Sequence, residues 1–372
     1  MKIVIDGRLI NESGIGRYLR NLIGQLQVLD SRNEYFILLL QKDLSFKLAK
    51  NFQKVEVNFR WYTLQEQLKL PGILKKINPD LVHFPHFNVP IFYSGKFVVT
   101  IHDLIHQHYP TNRATTLDPI TYRLKKIGYG KVFSNASQKS SKILTPSNFV
   151  KNQLIKEWNI DVNKIVVTPE AVDDKIFSTE KIMNQKKIDQ VIDKFKIKQP
   201  YIFYVGNAHP HKNVEGLIEA FLNLRQSYQY LQLVLSGHDH FFWERLKKKY
   251  ENNFNIIFTG FVFDEELQAL YAGAKCFVMP SREEGFGLPI LEAFAASCPV
   301  VSSSAGSLLE VGGDAALYFD SSSQEEMVEK IQQVLNSEKL RNELIKKGQQ
   351  RVKQFSWQKM AKQTMDIYNS IL

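Results

Sequence analysis

Short apolar runs recur along the chain, each closed by Gly, Ser, Thr, Pro or Asp and most followed by a stretch with helical spacing. In the first half they are KIVID, YFILLL, LVHF, KFVVTIHD, KILTPS and KIVVTP; in the second, YIFYVG, LQLVLSG, NIIFTG, CFVMPS and PVVSSS. Many are apolar at successive rather than alternate positions. Such a strand is covered on both faces, and strands separated by helices pair in parallel. The pattern predicts an α/β fold with two doubly wound domains. The start, MKIVIDGRLI, reads as a first parallel strand; Asp6 interrupts it too soon for a secretory signal.

A chain of 372 residues exceeds the size at which one hydrophobic core keeps growing. We expect a first domain over 1–172, a polar, helical linker over 173–198, and a second domain over 199–354. The last stretch, 355–372, carries Trp357, Met360, Ala361, Met365 and Tyr368 on one helical side and can pack back on the first domain. No short repeat or low-complexity tract interrupts this plan. Ligands of open parallel sheets bind beyond the carboxyl ends of strands, and every unusual motif here lies at such an end. Two sheets facing each other across a cleft would bring those ends together.

Composition narrows the class. Hydrophobic residues at 44% and charged residues at 23% are globular values. Two cysteines, Cys276 and Cys298, exclude a disulfide framework and read as small core residues. No apolar run reaches the roughly 18 residues of a membrane span, so the expected place is the cytosol, at most a membrane surface. The net charge of +10 is uneven. Residues 1–170 hold 24 Lys and Arg against 13 Asp and Glu; the remaining 202 hold 24 against 25. From 119 to 156 there are eight bases and no acid: Arg123, Lys125, Lys126, Lys131, Lys139, Lys142, Lys151 and Lys156. Such a stretch suits an anionic lipid surface or phosphorylated substrates, or is a solvated face. Nucleic acid is not expected, because few aromatics accompany the charge and no binding motif is present.

Four motifs carry candidate chemistry. In IDGRLINESGIGRYLRNLI, Gly14 and Gly16 precede a helix beginning near Arg17, whose first amides suit a phosphate. The long loop and absent third glycine separate it from the dinucleotide fingerprint. In VVTIHDLIHQHYP, His102 and Asp103 follow an apolar strand, with His106 and His108 beyond. No second ligand cluster accompanies them, so His102 reads better as a hydrogen-bond partner of a polar ligand than as a metal ligand. In YVGNAHPHKNVEGLIEAF, Gly206 ends a strand and Lys212 stands before a helix, placed for phosphate oxygens. In SREEGFGLPILEAFAAS, a glycine turn opens a helix. Glu284 can accept bonds from hydroxyls, the amides after Phe286 and Gly287 can hold a diphosphate or sugar, and Glu292 suits the vicinal hydroxyls of a ribose. The apolar neighbours of Glu292 suggest burial, and buried acids need partners.

Together, Gly-Ile-Gly-Arg-Tyr, Ile-His-Asp, Lys-Asn after Val-Gly, and Glu-x7-Glu within SREEGFGLPILEA resemble the retaining glycosyltransferases of family 4, bacterial mannosyltransferases in particular. The order holds over almost the whole chain and takes in Val172-Asp173 with Phe177, the region Glu310 to Asp314, and Phe355-Ser356-Trp357. The resemblance implies the GT-B architecture, two facing Rossmann-like domains, and metal-independent transfer from a nucleotide-sugar; no Asp-x-Asp is present. It implies donor contacts from Gly14, Gly16, Arg17, Gly206, Asn207, His211, Gly285, Phe286, Gly287, Leu288 and Glu292. It implies chemistry at His102, Asp103, Lys212 and Glu284. Relatives commonly carry arginine where this chain has Asn207 or His211, so one phosphate-binding cation is weaker here, titratable, or supplied by Arg17. The implied donor is GDP-mannose, and the implied acceptor a glycan or lipid-linked glycan of surface polysaccharide assembly. A sugar-nucleotide epimerase of similar fold, or a non-catalytic nucleotide- or glycan-binding relative, are the alternatives.

Overall fold

A computed structural model of the chain describes residues 1–12, 14–109, 119–173, 183–238 and 241–371, the side chains of 119–126 excepted. Phe177 and the side chains of Arg123, Lys125 and Lys126 lie outside the described residues. Two compact units result. The first takes Met1–Leu104, Thr111–Glu170 and Trp357–Leu372; the second takes Ile105–Pro110 and Ala171–Ser356. The second unit therefore includes the helix Gln185–Lys194, within the stretch the sequence reading assigns to a linker.

The first unit holds seven strands: β1 Lys2–Asp6, β2 Glu34–Leu39, β3 Phe52–Glu56, β4 Leu81–Phe84, β5 Phe97–Thr100, β6 Lys142–Thr145 and β7 Ile165–Val167. All pair in parallel, in the order β3-β2-β1-β4-β5-β6-β7. The second unit holds β8 Tyr201–Val205, β9 Gln232–Ser236, β10 Ile256–Gly260, β11 Cys276–Met279, β12 Val300–Ser303 and β13 Ala316–Phe319. They too are parallel, in the order β10-β9-β8-β11-β12-β13. Each order reverses direction once, between β1 and β4 and between β8 and β11. Those reversals open the crevices in which doubly wound sheets bind ligands.

Central strands are buried along their whole length, β4, β5, β9 and β11 among them. This explains their unbroken apolar runs. β3 (FQKVE) and β13 (ALYF), absent from the sequence reading, are edge strands; only Phe52 of β3 is buried. The second sheet packs apolar side chains on two faces, one cluster around Phe277, Ile290 and Leu291, the other around Phe221, Trp243 and Ile331. Cys276 and Cys298 are buried thiols within these clusters.

The C-terminal helix Trp357–Ile371 lies against the helix Gly14–Leu29, with the Tyr18 and Trp357 rings 6.5 Å apart. A buried polar chain fixes it. His83 Nδ1 lies 2.5 Å from the Tyr368 hydroxyl, His83 Nε2 lies 2.8 Å from Thr100 Oγ1, and Tyr18 Oη lies 3.0 Å from the same Thr100 atom. Burial, then the nearby His102, lowers the pKa of His83 from 6.5 to about 3. Burial and the neighbouring Lys212 lower His211 likewise, to about 3. Between those values the unfolded chain binds protons that the native chain does not. The stability these two neutral rings contribute is therefore complete above about pH 6.5 and is lost as pH falls toward 3. We expect the unfolding free energy to drop below pH 6.5 by up to about 1.4 kcal/mol per pH unit for each histidine. Urea melts at pH 7, 5 and 4 measure this; a free energy constant to pH 4 would refute the neutral state of both rings.

Candidate active site

In the second unit the candidate residues gather at the reversal of the sheet. β8 ends into Gly206 and a loop that reaches the short helix Pro210–Lys212. β11 ends into residues 280–287, where Gly287 caps the helix Leu288–Ala295 and Pro289 occupies its first turn. Because β8 and β11 are neighbours, the two loops meet: the Arg282 amide donates to the His211 carbonyl at 2.7 Å. Lys212 Nζ donates to both oxygens of Glu284, at 2.7 and 2.8 Å. The Glu284 side chain is 8% exposed and that of Lys212 16%, so the pair is largely withdrawn from water. A cation held this way stands ready for another anion that enters beside it.

The second carboxylate of the loop has a different partner. Glu283 faces His108 Nδ1 at 2.7 and 2.9 Å. Glu292 is buried in the apolar cluster, and Tyr271 donates to it at 3.0 Å. Buried His211 packs its ring 5.9 Å from those of His209 and Tyr109. Neutral above about pH 3, it is not the phosphate cation that an arginine there would supply. Asn207 is exposed and its side chain accepts from the His209 amide at 3.3 Å; Gly285 and Phe286 are buried, and Leu288 opens the helix. Arg282, which the sequence reading passed over, extends an exposed guanidinium to within 3.5 Å of Asn213 Oδ1.

A third segment fixes the loop. Ser307 Oγ donates to the carbonyls of Glu284 (3.0 Å) and Phe286 (2.7 Å), its amide donates to Glu284 O at 3.2 Å, and Ser303 Oγ donates to Ser281 O at 2.5 Å. Gly306, at φ +63°, lies so close that a Cβ there would stand 2.7 Å from Glu284 O and 2.8 Å from Glu284 N. The sequence reading missed Ser303, Gly306 and Ser307. Their only signal was the run SSSAGS after a strand.

In the first unit, Gly14 and Gly16 begin the helix after the β1 loop, followed by half-buried Arg17. A Cβ at Gly16 would stand 2.6 Å from Ile10 O, so only glycine fits the approach. His102 follows β5. Its Nδ1 lies 3.0 Å from Glu170 Oε1 and its Nε2 lies 3.1 Å from the Pro85 carbonyl, which can only accept, so Nε2 carries a proton. Tyr18 meets the ring edge-on at 4.9 Å. Asp103 is half-buried beside it. Among the described residues no group of three or more His, Cys, Asp or Glu could hold a metal, and no helix is long and apolar enough to cross a membrane.

Residues 13–175 match the family model Glycosyltransferase Family 4, and residues 182–351 match Glycosyl transferases group 1. The O-antigen chain mannosyltransferase B of Escherichia coli is 30% identical, over 82% of this chain and 78% of its own. The chain belongs to glycosyltransferase family 4. The family 4 protein is also 28% identical to the O-antigen chain mannosyltransferase RfbU of Salmonella typhimurium, over 74% of this chain and 71% of that one. Its fold is that of GT-B glycosyltransferases. The sucrose-phosphate synthase of Thermosynechococcus elongatus superposes with a TM-score of 0.78 at 17% identity, covering 100% of this chain and 99% of the other. WaaG, a lipopolysaccharide glycosyltransferase, gives 0.77 at 17% identity, covering 99% of each chain.

Proposed function

We propose that this glycosyltransferase moves mannose from GDP-mannose to a glycan or lipid-linked glycan in surface polysaccharide assembly, with retention and without a metal. The Lys212–Glu284 pair at the reversal between β8 and β11 carries the reading. The mannosyltransferase relatives support the sugar and the setting. In this reading Glu284 accepts from sugar hydroxyls and Glu292 from the ribose. The helix amides from Gly287 onward and Lys212 face the diphosphate, with Gly206, Asn207 and His211 lining the loop beside them.

As the bond from the anomeric carbon to the phosphate oxygen breaks, its electron pair stays on the diphosphate. Lys212 and the helix amides stabilise that charge, and such stabilisation is the chief source of rate in chemistry of this kind. The acceptor oxygen bonds to the same carbon on the same face and yields its proton to the leaving phosphate oxygen. Gly14, Gly16 and Arg17 add charge stabilisation, and His102 with Asp103 serves the transferred sugar.

A thermal-shift panel of GDP, UDP, ADP and dTDP with their sugars, with and without chelator, tests the donor. A ligand bound only by the folded state raises stability by RT ln(1 + [L]/Kd). We expect a shift with GDP and GDP-mannose that chelator leaves unchanged. A shift with UDP alone would replace the donor. No shift with any nucleotide would remove the donor-site reading, and isomerised donor without transfer would favour an epimerase.

A further inference from the structure

The helix Leu64–Ile77 has two faces. Thr63 starts it, its hydroxyl accepting from the Glu66 amide, and Asn78 ends it at φ 51°. Glu66, Leu70 and Leu74 are buried, with Ile73 and Ile77 half-buried alongside. Spacings of four and eleven place Leu64, Leu68 and Lys75 together on the opposite side. There Leu64 is 81% exposed and Leu68 72% exposed. The neighbouring loop adds Phe92, 76% exposed, held against the helix because the Ile91 amide donates to Gln67 Oε1 at 2.9 Å. Tyr62 stands exposed just before the helix.

The exposed charge around these side chains is mostly basic. Arg60, Lys69, Lys75 and Lys76 are exposed. Between 57 and 79 the only acid is Glu66, and it is turned inward, taking the Arg8 guanidinium at 2.5 Å and the Asn88 amide at 2.7 Å. From 81 to 102 there is no acid. Large apolar side chains standing in water beside four exposed bases, with Asp80 the one exposed acid between 57 and 102, match a surface that inserts into headgroups of negative charge. A second copy docking through the same patch would set these cations against their own equivalents. The basic stretch expected to do this is less suited. Of its described lysines, Lys142 donates to Asn163 O at 2.7 Å and Lys151 to Ile165 O at 3.2 Å.

We propose that the outer face of Leu64–Ile77, with Tyr62 and Phe92, docks on an anionic lipid bilayer. The inference is independent of the donor reading, since its readout is lipid binding and not turnover. The test is co-sedimentation of the full chain with vesicles of phosphatidylglycerol and phosphatidylcholine, against phosphatidylcholine alone. Binding is expected only with the anionic lipid and is weakened by raised salt. L64S/L68S/F92S should reduce it at least tenfold, and K69S/K75S/K76S by roughly fivefold per lysine, both with unchanged melting temperature. K131S/K139S/K156S should leave it intact. Three results would each overturn the proposal: no binding to anionic vesicles, loss only in the last variant, or an apolar variant that alters the sedimentation coefficient in place of lipid binding.

Discussion

Replacing Lys212 by alanine is expected to cut turnover more than tenfold while the chain stays folded. The ammonium touches both oxygens of Glu284 and is only partly open to water. A charge-assisted hydrogen bond in such a place is worth about 1.5–3 kcal/mol, or roughly ten- to more than a hundredfold. If that bond is made to the departing diphosphate, the loss falls on kcat and kcat/KM together, because the interaction strengthens as charge develops. Glu284→Ala should cost a similar factor for a different reason. It removes the proposed acceptor for sugar hydroxyls and leaves Lys212 without the carboxylate that orients it. The two residues share one interaction, so the double variant should lose less than the product of the single losses. Steady-state kinetics with a melting curve for each variant decides the matter. Normal turnover in both folded single variants would remove the site assignment.

Much of the architecture was legible because buried parallel strands write themselves as apolar runs. The two strands that went unread, β3 and β13, lie at sheet edges, where one flank is unpaired and the apolar run is broken or short. The loops at the reversal were legible as well, since glycines beside a lysine or a pair of glutamates stand out against their surroundings. What the residues on each loop touch was not. Lys212 and Glu284 are 72 positions apart, and nothing in either motif announces that one pairs with the other. His102 shows the same limit. Its position after β5 was readable, yet Glu170, 68 residues on, engages one ring nitrogen while the Pro85 carbonyl engages the other. The replacement of a cation by His211 was visible in the sequence; that burial keeps it neutral was not.

The second large effect belongs to Gly306, which supplies no polar side chain. Gly306→Ala should lower turnover at least as far as Lys212→Ala and, unlike it, lower the melting temperature by several degrees. Two causes act together. At φ +63° a side chain strains the backbone, and the added Cβ would lie within 2.8 Å of the Glu284 backbone amide nitrogen and carbonyl oxygen. Those neighbours are main chain and cannot swing aside as a side-chain tip would, so residues 281–287 must shift. A shift breaks the Ser307 bonds to Glu284 and Phe286, which hold the carboxylate against Lys212 and set the start of the following helix. Displacement of a positioning group by about 1 Å can cost on the order of a hundredfold in rate. Ser307→Ala separates the causes. It removes the hydroxyl without strain and should give a smaller loss in both rate and stability, about 1–3 kcal/mol for carbonyls left short of a donor. Donor-induced thermal shifts should shrink in the order wild type, Ser307→Ala, Gly306→Ala. Full turnover with an unchanged melting temperature in Gly306→Ala would show that the loop tolerates displacement, and that Glu284 need not be held where the structure places it.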